Sequence, residues 1–525
     1  MWLAISISAC QTFGLKLKVE SLRFKEAFMK RCIIIGSGLG GLSTGVVLAR
    51  EGFDVTILEQ EAQIGGCLQC FSRRGVKFET GMHFIGSAKP GQTLHRLLRF
   101  LEIDDVRLSE LDHDAYDIVR LGNEEYRFPN GKEAFIARMA DYFPHEAEGI
   151  RQYMDCVERV AQASSLHTLD TTNADSAINT EYQLRSINEV IDSLISDPKL
   201  RDVLVGNLPL YAAQRDKTPF STHAFIVDFY NQSSFRVVGG SDNIGQALRR
   251  KLEHYGGRVL TNQQVVKILS TDSAVTGVIT ATGEHYDADI VISAIHPVPT
   301  MAMTDSPLIR PAFRKRMASL PNTIGIFSVY LDFEEGAMPY MNSNYYAYAN
   351  GFSPWDSEHY TTEDWPRGYL YMHFCHEPQP CYARAGVILS YMRFEEMAPW
   401  LGTTVGHRGE AYEHFKRERA ERLIDSVAQA FPNIRQTIRH YYTSTPLTYL
   451  NYTGTPEGSA YGFARDISLG VSSHVPQRTK LPGLYLTGQN INSHGILGVL
   501  VGTVVTCSDL LGTEYVYQQI IKANQ

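Results

Sequence analysis

Three glycines in one turn constrain this chain more than any other feature. Residues 31–59 read Arg-Cys-Ile-Ile-Ile-Gly-Ser-Gly-Leu-Gly-Gly-Leu-Ser-Thr-Gly-Val-Val-Leu-Ala-Arg-Glu-Gly-Phe-Asp-Val-Thr-Ile-Leu-Glu. Cys32 through Ile35 is a short apolar, β-branched run, the pattern of a buried parallel strand. Gly36, Gly38 and Gly41 follow at G-x-G-x-x-G spacing, with Ser37, Leu39 and Gly40 between them, and a helical pattern continues through Leu48 and Ala49. The first glycine permits the tight turn, the second lets backbone approach a pyrophosphate, and the third lets helix and strand pack closely. A helix starting there offers unpaired N–H groups and the positive end of its dipole to phosphate. A second strand over 54–58 ends in Glu59 and Gln60, roughly 20 residues on, where an acid binds a ribose hydroxyl. Strand, turn, helix and acid together predict a dinucleotide site in an α/β fold of Rossmann type.

Composition narrows the function class. At 525 residues the chain can bury more than one core. Its net charge of −8, with no long basic run, argues against nucleic acid as a main partner. The eight cysteines are scattered, which excludes a disulfide framework, and no metal site is expected. No apolar run reaches the ~20 residues of a membrane span; the most apolar stretch, 495–507, is shorter, broken by Gly and Thr, and reads as a buried helix. A cytoplasmic protein with at most peripheral membrane contact is therefore expected. Residues 1–28 lack the basic flank of a secretory signal, and Met29 stands directly before the first strand, so 1–28 are expected to be a leader outside the fold.

Further along, the pattern alternates between nucleotide-like and other segments. Gly65-Gly66-Cys67 suits a second turn near a cofactor, followed by a strand over 76–79 and then Gly81-Met82-His83. Residues 115–129 alternate around Gly122-Asn123 as a hairpin. Helical spacing covers 133–142, 146–163, 187–195 and 200–205, while the Ser/Thr/Asp/Asn-rich 164–177 reads as an exposed loop. Gly239-Gly240, a helix over 244–255 and strands at 258–261, 265–269 and 288–295 return to a βα pattern. Strands over 323–333 and 386–393 flank an aromatic-dense stretch with Tyr345, Tyr346, Tyr348, Trp365, Tyr369 and Tyr371, read as sheet packing or a substrate wall, and 410–431 is a long amphipathic helix.

The run Ile-Ile-Ile-Gly-Ser-Gly-Leu-Gly-Gly-Leu, then Leu-Glu-Gln, Ile-Gly-Gly and Glu-Thr-Gly-Met-His-Phe-Ile-Gly, resembles flavin enzymes of the phytoene desaturase and carotenoid isomerase group. The His-Phe-Ile-Gly tail is most similar to the all-trans-retinol saturase branch. The resemblance covers nearly everything after Met29, and it is strong at both ends and loose between them. It implies a fold of the glutathione-reductase/amine-oxidase-like superfamily: a Rossmann-type FAD-binding domain assembled from 29–100, 236–300 and 445–525, with an inserted α+β substrate domain from 101–235 and 301–444. Carried over residue by residue, it implies that Val265 touches the adenine through its backbone. It also implies that Gly488, Gln489 and Asn490, with Gly498 and Val499 of the following helix, seat the rest of the FAD. An acid often stands where this chain has Asn490, which leaves that contact open.

The chemistry the resemblance implies is hydride exchange between flavin N5 and a carbon–carbon bond of a long apolar isoprenoid or polyene. Saturation is favoured, with desaturation and cis–trans isomerisation as alternatives. His83 is the candidate proton donor, because histidine titrates near neutral pH, or else a positioning group. The electron partner is not named by the residues; NAD(P)H held only transiently is one candidate. A flavin disulfide reductase would use Cys67 and Cys70 but needs a second Gly-rich nucleotide fold, and no second G-x-G-x-x-G occurs. A prenyl-protein escort of the same architecture would have an eroded glycine motif, whereas Gly36, Gly38, Gly41 and Glu59 are intact. An amine oxidase would cage the flavin with aromatics where this chain has Ile491-Asn492-Ser493-His494.

Overall fold

The computed structural model describes residues 29–525 apart from Asn173. The expected leader, 1–28, lies outside the described residues. Strand Arg31–Ile35 is the middle of a five-stranded sheet in which Asp54–Leu58 and Arg258–Leu260 lie to one side, and Ile290–Ser293 and Leu484–Leu486 to the other. Every pairing is parallel, with Ile33 opposite Thr56 and Val291. Parallel neighbours need crossovers that cover both faces, and alternate residues of the central strand accordingly enter two cores. Cys32 and Ile34 pack with Val46, Leu248, Leu252 and Val504 from helices Leu39–Arg50, Asp242–His254 and Gly495–Leu511. Ile33 and Ile35 pack on the other face with Leu58, Val265, Val278 and Val291.

A second sheet has seven strands, in the order Ile438–Ser444, Gly325–Phe333, Ala385–Met392, Gly368–His373, Asn344–Tyr348, Asp117–Leu121, Glu124–Phe128. The only parallel pair within it joins Asn344–Tyr348 to Asp117–Leu121, whose first residues are 227 positions apart. On one face Phe327, Val329, Tyr345, Tyr369 and Tyr371 meet Leu423, Ile424 and Val427 of helix Glu410–Ala428. On the other, Tyr330, Tyr346, Tyr348, Leu370 and Met372 join a helical layer through Tyr153, Leu200 and Phe220. The aromatic-dense stretch is thus divided by strand alternation. Tyr345, Tyr369, Tyr371 and Trp365 belong to the packing against the long helix.

The polar stretch 164–177 is not simply an exposed loop. Ser165–Thr168 forms a helical turn whose first N–H groups are satisfied by Ser164, the side chain of which accepts from the His167 N–H. Leu169 is fully buried, and Thr93 and Arg96 donate to the His167 and Thr168 carbonyls at 2.8 and 2.7 Å. Ser164 and Thr168 thus cap and satisfy backbone, which composition does not distinguish, whereas 170–172 and 174–177 are exposed as expected. Among the described residues no helix is long and apolar enough to cross a membrane.

One buried carboxyl stands out. Asp117 is fully buried, accepts from the Asn344 amide at 2.8 Å through Oδ1, and has no partner on Oδ2. Burial pushes its pKa up to about 7. The folded form therefore holds a proton that the unfolded chain releases near pH 4, so stability falls as pH rises from about 4 to 7. Asp117→Asn removes this titration. We expect its melting temperature, relative to the parent, to rise progressively between pH 4 and 8, and a thermal melt series over that range checks it; a constant difference contradicts the buried titration.

Candidate functional site

The glycine turn folds as its spacing demands, and each glycine answers to a different contact. Gly36 has φ +94°, a left-handed conformation that its N–H, bonded to the Leu58 carbonyl at 2.8 Å, holds in place. At Gly41 an added Cβ would lie 2.1 Å from the Gly36 carbonyl oxygen, so helix Leu39–Arg50 can start only here if this residue has no side chain. At Gly38 an added Cβ would meet nothing within 4 Å. The one glycine of the motif that lines a cavity without steric need for its smallness leaves open space where a ligand's phosphates would come.

That cavity measures about 400 Å³, in the range of small-molecule sites. Its wall takes residues from distant parts of the chain: Gly36, Gly38, Leu39 and Gly40; Glu59 and Gln60; Gly65, Gly66 and Cys67; Gly81 and Met82; Val265; Gly488, Gln489 and Asn490; and Val499. Gly40 carries the convergence, because a Cβ there would stand 2.9 Å from the Gly488 Cα. Ser43 and Thr503 hydroxyls, 2.6 Å apart, lock the two helices that begin at these turns.

Glu59 is buried and oriented by the chain itself. Its Oε2 accepts from the Ser37 N–H at 2.8 Å and the Ser37 hydroxyl at 2.5 Å, and its Oε1 from the Glu61 N–H at 3.0 Å. A carboxylate has about four acceptor positions, so one is left for a ligand hydroxyl. Gly65 N–H bonds the Ser37 carbonyl at 3.0 Å, bringing the second glycine turn under the first. The donor set is one carboxylate, a helix N-terminus and exposed turn backbone, and it fits a dinucleotide.

Four of the expected residues do not line the cavity. Ser37 serves Glu59, and Gly41 serves helix packing. Gly498 packs on the preceding turn, where a Cβ would lie 2.6 Å from the Ser493 carbonyl carbon. His83 is buried beside the wall rather than in it, its ring stacked on Phe374 at 5.8 Å and its Nδ1 3.5 Å from Glu79. Asn490 lines the cavity while its Oδ1 accepts from the Phe463 N–H at 3.0 Å. A neutral amide is thereby tied to the 459–463 segment. Cys67 and Cys70 are free thiols; burial raises both, Cys70 up to about 12, which suits packing and not thiolate chemistry.

The wall also holds Tyr461, from a segment that resembles the one preceding the flavin in this family, and residues that motif reading did not single out: Gln263, Ala294, Ile295 and His296. Positions 294–296 follow the carboxyl end of a parallel strand neighbouring the glycine strand, where open α/β sheets bind ligands. That rule could have found them. His296 Nδ1 accepts from the Val298 N–H at 3.2 Å and its Nε2 donates to Asn322 at 3.0 Å; burial pushes its pKa down to about 4, so it is neutral. Tyr461 donates to the Pro209 carbonyl at 2.8 Å, and its ring lies tilted against His494 with centroids 4.6 Å apart.

Comparison with known proteins agrees with this geometry. The family described as Flavin containing amine oxidoreductase matches residues 39–504. Human all-trans-retinol 13,14-reductase is 26% identical over 530 residues, covering 91% of this chain and 85% of the relative. A prolycopene isomerase of an Oncidium hybrid cultivar is 23% identical over 517 residues, covering 93% and 84%. Among solved structures, an oxidoreductase from Methanosarcina mazei is similar in fold, with a TM-score of 0.61 at 17% identity, covering 91% of this chain and all of that one.

Gly38→Val would fill the open space above the turn. We expect a folded protein, judged by far-UV circular dichroism, without visible flavin absorbance; a fully yellow variant shows that the phosphates lie elsewhere.

Proposed function

The chain belongs to the Flavin containing amine oxidoreductase family and is an FAD-dependent oxidoreductase, and from that premise we propose that it reduces a carbon–carbon double bond of a long apolar polyene or isoprenoid. The observation that carries this reading is the extent of similarity to the retinol 13,14-reductases, which spans 91% of the chain and so takes in the substrate-side regions between the nucleotide segments.

FAD bound in the cavity supplies a site that gives or takes a hydride. The chain's residues do the rest. Glu59, held by Ser37 and Glu61, would accept a ribose hydroxyl, and the backbone of Val265 would face the adenine. Gly38 and the start of helix Leu39–Arg50 would receive the pyrophosphate, and Gly488, Gln489 and the start of helix Gly495–Leu511 would hold the flavin end. Saturation also needs a proton at the neighbouring carbon. A general acid must lie within hydrogen-bond reach of its target, and His83 does not line the cavity, so we assign it the positioning role, with its ring fixed between Glu79 and Phe374. NAD(P)H is the proposed transient electron donor, and contact with a membrane is peripheral.

The test uses photoreduced holoprotein without oxygen. We expect all-trans-retinol or a related polyene alcohol to reoxidise the flavin, with a product lacking one double bond by mass. A product of unchanged mass but altered geometry favours an isomerase, and an added double bond formed from oxidised flavin favours a desaturase. For His83→Gln we expect normal FAD content and reoxidation slowed by about tenfold, the lower side of what a misplaced group costs, with the pH profile unchanged. Loss of a pH dependence near neutrality identifies His83 as the proton donor instead.

A further inference from the structure

Arg236 is among the largest fully buried side chains, 1% exposed, on strand Ser234–Val237. Burying a guanidinium is costly unless its donors are met by good acceptors. Its fork reaches three acceptors from two distant segments. Nη1 donates to the His83 carbonyl at 3.3 Å, and Nη2 donates at 3.0 Å both to the Ser343 carbonyl and to Asn344 Oδ1. Asn344 in turn donates from Nδ2 to Asp117 Oδ1 at 2.8 Å. Among the described residues no carboxylate pairs with Arg236 directly; Asp117 answers it through the Asn344 amide.

His83 closes the turn whose other members, Gly81 and Met82, line the cavity. On the cavity side the turn rests on Cys67, since a Cβ at Gly81 would stand 3.1 Å from the Cys67 carbonyl oxygen and Cβ. On the far side it is held by the guanidinium. Asn344 and Asp117 begin the two strands that form the parallel junction of the seven-stranded sheet, facing each other in register. One buried cation therefore connects the wall of the cofactor cavity to the sheet on the substrate side.

We infer that Arg236 is a positioning residue, which keeps the 81–83 turn and the substrate-side sheet in a single registration across the cofactor cavity. The inference rests on the flavin reading of that cavity. Hydride transfer is sensitive to placement, and a misplacement of about 1 Å costs on the order of 10²-fold in rate. A planar fork with donors in fixed directions can hold a carbonyl, a second carbonyl and an amide oxygen at once, whereas an ammonium on a flexible stem cannot hold the same three directions.

Arg236→Lys and Arg236→Met are compared with the parent as purified holoproteins. We expect both to keep FAD, because the contacts of Glu59, Gly38 and Val265 are untouched. In Arg236→Met the visible circular dichroism of the bound flavin changes, and polyene-driven reoxidation slows by about 10–10²-fold through the rate at saturation more than through KM. Arg236→Lys recovers part of both. If Arg236→Met retains the parent's flavin dichroism and saturating rate while only melting at a lower temperature, Arg236 is merely structural and the inference is wrong. Should Arg236→Met fail to fold, Arg236→Lys decides alone, and parent-like dichroism and rate overturn the inference. Absence of flavin from the parent protein sinks the functional reading itself, and flavin in the parent with no effect of either substitution sinks only this one.

Discussion

The architecture depends on a backbone contact too close for any side chain. The carbonyl of Gly36 and the Cα of Gly41 approach so nearly that a single methyl would overlap the oxygen. That approach lets the helix leave the strand at once, with its first N–H groups aimed over the carboxyl end of the sheet. Everything that lines the cavity is placed relative to this corner. The second glycine turn bonds to Ser37, the Gly488 turn touches Gly40, and the helix after it crosses the first with a shared pair of hydroxyls. A corner without Cβ atoms is thus both a packing solution and a binding site, and different glycines of the same motif carry the two tasks.

The chain reaches that corner three times. Strands from residues 31–58, from 258–293 and from 484–486 lie side by side in one parallel sheet, and the excursions between them build the seven-stranded sheet and its helices. Parallel pairing tolerates such excursions because each crossover must travel over a face in any case. The outcome is a cavity whose wall joins positions more than 400 residues apart, beside a large aromatic core. Arg236, Asn344 and Asp117, all buried, are joined to one another by hydrogen bonds, with the Arg236 Nε and the Asp117 Oδ2 left without a partner. Low local dielectric makes such bonds strong when complete and costly when broken.

Much of the candidate site was legible in the amino-acid order because its chemistry is backbone chemistry. A phosphate cradle needs glycine at fixed offsets, and the acid must follow one strand later, so Gly36, Gly38, Gly41 and Glu59 announce themselves within thirty or so residues. Residues such as His296 and Tyr461 carry no such periodic mark. His296 enters the wall because its segment follows a strand paired with the glycine strand, and Tyr461 because its loop bridges to residues 322–325 through Ser459 and Phe463. His83 shows the converse: proximity in sequence to Gly81 and Met82 suggested the cavity, yet the turn directs its ring toward Glu79 and Phe374.

By itself the sequence determined the dinucleotide turn, its strand and helix, the acid that follows, and the buried helix at 495–511, since each follows from local sterics and short-range periodicity. Only the tertiary structure decided which glycines face the cavity and which serve packing, where Asn490 points its oxygen, which tyrosines lie on which side of the seven-stranded sheet, and that buried Arg236 bonds both the His83 carbonyl and Asn344. The long-range ones among these outcomes depend on contacts between distant residues, as where Gly40 meets Gly488 and Arg236 meets Asn344. Nothing in the local pattern specifies them, because strand pairing and burial are settled by the whole chain at once.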